Sequence, residues 1–313
     1  MTPAIEIRDL VKSFGRVRAL DGLSLTVPEG SLLGLIGRNG AGKTTTFNVL
    51  AGFLKPTSGS VVVRGEALVA GEPPVGKIAL LPQDARMPEH RRVGDVLRML
   101  GCLSGLSPQE ADRRSEQAME SLALGKDTLG RKVGHLSHGQ RRRVAIAQAL
   151  VGRDEVIILD EPLAGLDPRA AAELRELIVQ LKSQRTMILS SHDLHDVESL
   201  CDHFVIIEKG RTVSSGTVAS LREESAAVRV SLAQPAPDPE AMSAQISAVS
   251  GVRRVQLSED GLAVTFELTD GDGVSADAVI NEVIKALMAA GGVMRGVERG
   301  TSLEQRFLDE TER

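Results

Sequence analysis

Residues Gly37 to Thr44 read Gly-Arg-Asn-Gly-Ala-Gly-Lys-Thr, the spacing G-x-x-x-x-G-K-[ST], with Thr45 following. Gly37, Gly40 and Gly42 free the backbone to wrap a phosphate, so that successive N–H groups, those of Asn39 and Ala41 among them, can point inward. A helix opening at Lys43 adds the positive end of its dipole. In this spacing the Lys43 ammonium reaches the β- and γ-phosphates, and the Thr44 hydroxyl is placed to ligate Mg2+. The chemistry is the binding of a nucleoside triphosphate, with Thr45 in the same binding set.

A second group lies far along the chain. The apolar run Val156-Ile-Ile-Leu159 ends in Asp160 and Glu161. An Asp at the C-terminal end of a buried strand can hold Mg2+, directly or through water. Glu161 beside it points into the same crevice and can polarise an attacking water. Alone, the pair reads equally as a solvated acidic turn; beside a phosphate loop it reads as phosphoryl-transfer chemistry.

The elements that must position these residues follow from periodicity. Ala4–Leu10 and Leu20–Val27 alternate as strands, and Ser31–Ile36 is a short apolar strand feeding the glycine loop. Phe47, Val49, Leu50, Phe53 and Leu54 suit a helix over Thr44–Leu54. Strands are expected at Val61–Val63, Ile78–Leu81, Val156–Leu159, Thr186–Leu189 and Phe204–Ile207. Helices are expected over Gln140–Leu150, Asp167–Leu181 and Leu194–Cys201, and from about Arg91 to Ala123 with breaks at Gly101 and at Leu106-Ser107-Pro108. Ser107 is placed to cap the second part of that stretch. Short apolar strands alternating with helices make a mostly parallel α/β sheet. Past Arg222–Ala227 the composition shifts. A strand (Val228–Leu232), a helix (Pro239–Val249), strands (Val252–Leu257, Leu262–Leu268), a helix (Ala276–Ala289) and a strand (Gly292–Val297) give the order β-α-β-β-α-β of a ferredoxin-like module. A short helix from Ser302 closes the chain.

Composition bounds the partners. Lys and Arg number 37 against 42 Asp and Glu, a formal net charge of −5, the opposite of a nucleic-acid coat. Cys102 and Cys201 lie far apart without ligand-spaced companions, which fits a reducing cytoplasm and no zinc site or disulfide framework. Met1–Leu10 carries Glu6, Arg8 and Asp9 and so lacks a signal-peptide core, and no run approaches the roughly 18 apolar residues that cross a bilayer. Any service to a membrane is expected through a partner.

Leu136-Ser137-His138-Gly139-Gln140, ahead of the Val156–Glu161 segment, carries a family resemblance. The set resembles the nucleotide-binding domain of ATP-binding cassette (ABC) proteins, whose signature reads LSGGQ, over about residues 4 to 222 and with the motifs in the family's order. Gln83 in Leu81-Pro-Gln-Asp matches the Q-loop, Leu166-Asp167 the D-loop, His192 in Ser190-Ser-His-Asp the switch histidine, and Phe14 the aromatic that stacks on adenine. The resemblance implies ATP and Mg2+ as cofactors, with Thr44, Gln83 and Asp160 at the metal and Glu161, His192, Lys43 and Gln83 in catalysis. It also implies that Ser137, Gly139 and Gln140 of one subunit close on the γ-phosphate held by another. Ser137 can cap its helix and present hydroxyl and N–H groups to such an anion. His138 departs from the family's glycine. Arg141, Arg142 and Arg143 read as a solvated helix face rather than a nucleic-acid patch. Thr301-Ser-Leu-Glu-Gln-Arg-Phe-Leu-Asp-Glu310 resembles the ending of ATPase subunits of the ABC-2 exporter group.

The expectation is an ABC-type P-loop ATPase domain at 1–224, with a helical subdomain at about 84–150, followed by a small α+β domain at 225–313. It implies an ATP-hydrolysing subunit that dimerises around two Mg-ATP and drives export through a separate permease at the cytoplasmic side of the membrane, without nucleic acid. The permease grip falls at about Ala85–Leu103, where Met87, Val93, Val96, Leu97 and Met99 offer apolar surface. The alternative is a soluble or regulatory ATPase of weak turnover, slowed by His138.

Overall fold

Buried apolar runs separated by glycine turns set the architecture. The computed structural model describes residues 3–69, 71–72, 74–182, 185–223, 227–258, 260–268 and 275–299. The chain divides between Gly216 and Thr217 into two compact units, a few residues before the composition shift at 224/225.

The strands of the first unit are β1 (Ile5–Phe14), β2 (Val17–Val27), β3 (Leu32–Ile36), β4 (Ser58–Val63), β5 (Glu66–Ala67), β6 (Ile78–Leu81), β7 (Val156–Leu159), β8 (Thr186–Ser191), β9 (His203–Glu208) and β10 (Arg211–Thr217). An antiparallel sheet of order β2-β1-β4-β5 turns Ile5 and Ile7 on β1 and Leu23, Leu25 and Val27 on β2 inward by the period of two of a half-buried strand. The six-stranded sheet has the order β10-β9-β3-β8-β7-β6, parallel from β9 through β6. In it β3, β7 and β8 are buried along their whole length, as strands covered on both faces must be. The C-terminal ends of β3, β8 and β7 therefore lie side by side, and parallel sheets open their crevice at such an edge.

Helix α1 (Lys43–Leu50) follows β3, and α2 (Val93–Leu103), α3 (Pro108–Ser121) and α4 (His138–Val151) form a helical group between β6 and β7. Ser107 caps α3 as expected, its hydroxyl accepting the Glu110 N–H at 3.3 Å. Gly101 does not break α2. A Cβ there would lie 2.7 Å from the Ala111 Cβ, so the glycine lets α3 approach and the helix runs on through it. After β7 come α5 (Pro168–Lys182) and α6 (Leu194–Leu200), and α7 (Val218–Glu223) follows β10.

The second unit continues with β11 (Ala227–Leu232), α8 (Pro239–Ser247), β12 (Val252–Leu257), β13 (Ala263–Leu268), α9 (Ala276–Ala289) and β14 (Met294–Arg299). Its sheet has the order β12-β13-β11-β14 with every pairing antiparallel, the ferredoxin-like topology. Val228, Val230, Met242, Ile246, Phe266, Val283 and Leu287 fill its core. The expected helix from Ser302 and the Thr301–Glu310 ending lie outside the described residues. Among the described residues no helix is long and apolar enough to cross a membrane.

Candidate functional site

The phosphate loop leaves β3 at Gly37. A Cβ on Gly37 would stand 2.6 Å from the Ile207 carbonyl oxygen, and one on Gly42, at φ 113°, 2.8 Å from Leu20 Cδ2. Only glycine lets β9 and β2 close on the loop from both sides. No side chain caps α1, so the N–H groups of its first turn stay open to an anion. Lys43 is buried, and its ammonium folds back over the loop, donating to the Gly37 carbonyl at 2.6 Å and towards that of Arg38 at 3.5 Å. A cation held over a cradle of open N–H groups fits a polyphosphate.

The loop is tied to the end of β7. The Thr44 hydroxyl donates to Asp160 Oδ2 at 3.0 Å, and the Ser190 hydroxyl on β8 donates to Asp160 Oδ1 at 2.5 Å. Ser190 Oγ in turn accepts the Glu161 N–H at 2.9 Å. Among the described residues no group of three or more His, Cys, Asp or Glu side chains could hold a metal ion. Thr44 and Asp160 offer hard oxygens beside the phosphate cradle, a partial set that suits Mg2+ arriving with a nucleotide's own oxygens.

Glu161 is buried and sits at φ 50°, in the left-handed region that residues other than glycine seldom adopt. That turn directs its carboxylate towards the residue after β8. His192 Nδ1 stands 2.7 Å from Glu161 Oε2, placed to donate its N–H to the carboxylate, while two-thirds of the imidazole remains open to solvent. Lys43, Thr44, Asp160, Glu161 and His192 are thus gathered at one crevice by the adjacency of β3, β8 and β7.

The other expected residues do not join this cluster. Ser137 and Gln140 form a capping box at α4: the Gln140 N–H donates to Ser137 Oγ at 3.2 Å and the Ser137 N–H to Gln140 Oε1 at 3.1 Å. Neither they nor Gly139 hydrogen-bonds to the phosphate loop within the chain. The His138 imidazole is exposed and leans towards Gly165, whose ideal Cβ would lie 4.0 Å from His138 Nε2. Gln83 is exposed and engages the rest of the unit through its carbonyl. Phe14 is half exposed at the end of the β1–β2 hairpin, opposite Val17, with the Lys12 ammonium 5.0 Å from its ring centre. Asp167 caps α5 through the N–H groups of Arg169 and Ala170. On α2, Val93, Val96 and Leu97 are core, whereas Met99 and Leu103 are exposed.

The arginines after the signature are not a solvated face. None of the three is fully exposed. Arg143 pairs with Glu173, and Arg142 reaches carbonyls of the loops that follow β6 and β7. The face of α4 that carries Arg142 also carries Ile146 and Ala149, both buried, and that spacing was the available signal. Ser190 joins the site beyond its place in the histidine motif. Its signal is a hydroxyl at the end of an otherwise apolar strand, next to the strand bearing the acids.

Residues 20–164 match a family model described as ABC transporter. The high-affinity branched-chain amino acid transport ATP-binding protein BraF of Pseudomonas aeruginosa is 35% identical over 251 residues, covering 74% of this chain and 98% of BraF. The Nod factor export ATP-binding protein I of Burkholderia lata is 34% identical over 221 residues, 70% of this chain and 72% of that protein. The ADP conformation of an ATP-binding cassette of an ABC transporter superposes with a TM-score of 0.63 at 27% identity, over 71% of this chain and 95% of that one.

Proposed function

Because the chain belongs to the ATP-binding proteins of ABC transporters, ATPases that use ATP with Mg2+, we propose that it powers export through a separately encoded membrane permease. In this reading it lies on the cytoplasmic side of the membrane and works as a homodimer that closes over two nucleotides. The export direction is supported by the similarity to a Nod factor export protein and by the resemblance of the Thr301–Glu310 ending to the ABC-2 exporter group.

The cluster supports the roles of Lys43, Thr44, Asp160, Glu161 and His192, and the family resemblance supports those of Phe14, Gln83, Ser137, Gly139 and Gln140. Lys43 and the N–H groups of Gly37–Thr45 hold the phosphates of ATP, and the Phe14 ring takes the adenine. Thr44 and Asp160, with Gln83 from its loop, would hold Mg2+, which neutralises charge developing on the phosphate oxygens. Glu161 accepts a proton from the attacking water. His192, gripping Glu161 at 2.7 Å, fixes that carboxylate in line with the γ-phosphate. Ser137, Gly139 and Gln140 of the second copy cap the same phosphate from the opposite side. Closure excludes bulk water, so each of these electrostatic contacts strengthens.

The observation that carries the hydrolytic reading is the Glu161–His192 approach beside the Thr44–Asp160 bond. It is tested by phosphate release from Mg-ATP: E161Q should lose at least ~100-fold in kcat while still binding nucleotide, and an E161Q protein as fast as the parent would overturn it. With the permease in inside-out vesicles, ATP in the medium should drive cargo into the lumen; cargo leaving the lumen would assign import.

A further inference from the structure

Arg142, in the second turn of α4, turns its guanidinium into the unit. Nε donates to the Pro162 carbonyl at 2.7 Å and one terminal nitrogen to the Gln83 carbonyl at 3.2 Å. The other terminal nitrogen donates to the carbonyl of Glu161 and, at 3.4 Å, towards that of Asp160. Four backbone carbonyls, from two segments remote in sequence, therefore end on one rigid planar group.

This placement is costly. Among the described residues no carboxylate lies within ion-pair distance of Arg142. Burial pushes its pKa down, opposed by the fields of Asp160, Glu161 and Asp84. A partly buried cation resting on neutral carbonyls is a position a solvated helix face would avoid. What it secures is Glu161. A non-glycine residue at φ 50° must be held from outside, and both of its peptide groups are: the N–H by Ser190 Oγ and the C=O by Arg142. The same guanidinium holds the loop of Gln83.

We propose that Arg142 is a positioning residue that carries the conformation of the Gln83 loop to the turn that aims Glu161. A shift of the Gln83 carbonyl removes one arm of the fork and frees the others to swing, so the Glu161 carboxylate turns with them. The inference rests on the reading of Glu161 as the base. A lysine keeps the charge and loses the fork, since one ammonium cannot span the carbonyls of both loops.

The full chain is made as R142K, R142A and, as a control, E161Q. R142K should keep the parent's thermal midpoint, and its affinity for a fluorescent ATP analogue and its KM should stay within about 3-fold, while kcat falls at least ~10-fold. Guanidinium ion in the medium should restore part of the kcat of R142A. Hydrogen exchange should show Mg-ATP changing amide protection at both 83–85 and 160–164 in the parent, but only at 83–85 in R142K. If R142A does not fold, R142K carries the test alone. A parental kcat in R142K beside an inactive E161Q would overturn the role of Arg142 and leave Glu161 standing. A fall in nucleotide affinity that matches the fall in kcat would reduce Arg142 to a structural residue. An active E161Q would overturn the reading of Glu161, and this inference with it.

Discussion

His192 Nδ1 lies 2.7 Å from Glu161 Oε2, each residue sitting just beyond one of two adjacent parallel strands, so the sheet itself sets the histidine on the acid. A histidine that orients the base, rather than taking the proton, is needed for rate and not for binding. H192A should therefore lower kcat by about 100-fold and leave KM for ATP within a few-fold. Steady-state phosphate release over a range of ATP concentrations separates the two constants.

The Thr44–Asp160 bond predicts a metal phenotype. D160N leaves an oxygen and an amide where two carboxylate oxygens now face Thr44 and Ser190. The Mg2+ concentration that half-saturates hydrolysis should rise by about 10–100-fold, while binding of the metal-free nucleotide changes little. A titration of Mg2+ at fixed ATP reads this directly.

Ser190 predicts a stability phenotype beside a catalytic one. Its hydroxyl is a donor to Asp160 and an acceptor for the Glu161 N–H, all of them buried. S190A strands that N–H and should cost about 1–3 kcal/mol of folding stability. Denaturant unfolding measures the loss, and kcat should fall further than the stability change explains, because the turn bearing Glu161 loosens.

Much of this was legible in the residues. The β7 bounds at Val156 and Leu159 and the α9 bounds at Ala276 and Ala289 follow from apolar runs and periods that are local properties. The ferredoxin-like order follows from the same patterns, and the phosphate loop from its spacing. What was not legible is non-local. Gly101 reads as a helix breaker until Ala111 is seen packed against it. β10 gives no signal in the residues, because Arg211–Thr217 buries only Ser214 and shows no apolar stripe. Arg142 reads as a surface cation because its acceptors are backbone carbonyls, which no side-chain pattern announces.

His138 separates two readings of turnover. Its imidazole extends towards Gly165, while Ser137 and Gly139 on either side keep the residue types of the signature. H138G should change kcat by less than ~10-fold. A rise greater than that would assign the chain to the slow, regulatory class instead.

In the proposed cycle ATP closes two copies of this chain on one another, and the solution mass of E161Q reads that closure. Light scattering should give a monomer without nucleotide and a dimer with Mg-ATP, because loss of the base traps the closed state. A mass that Mg-ATP leaves unchanged, whether monomer or dimer, would rule out nucleotide-driven closure.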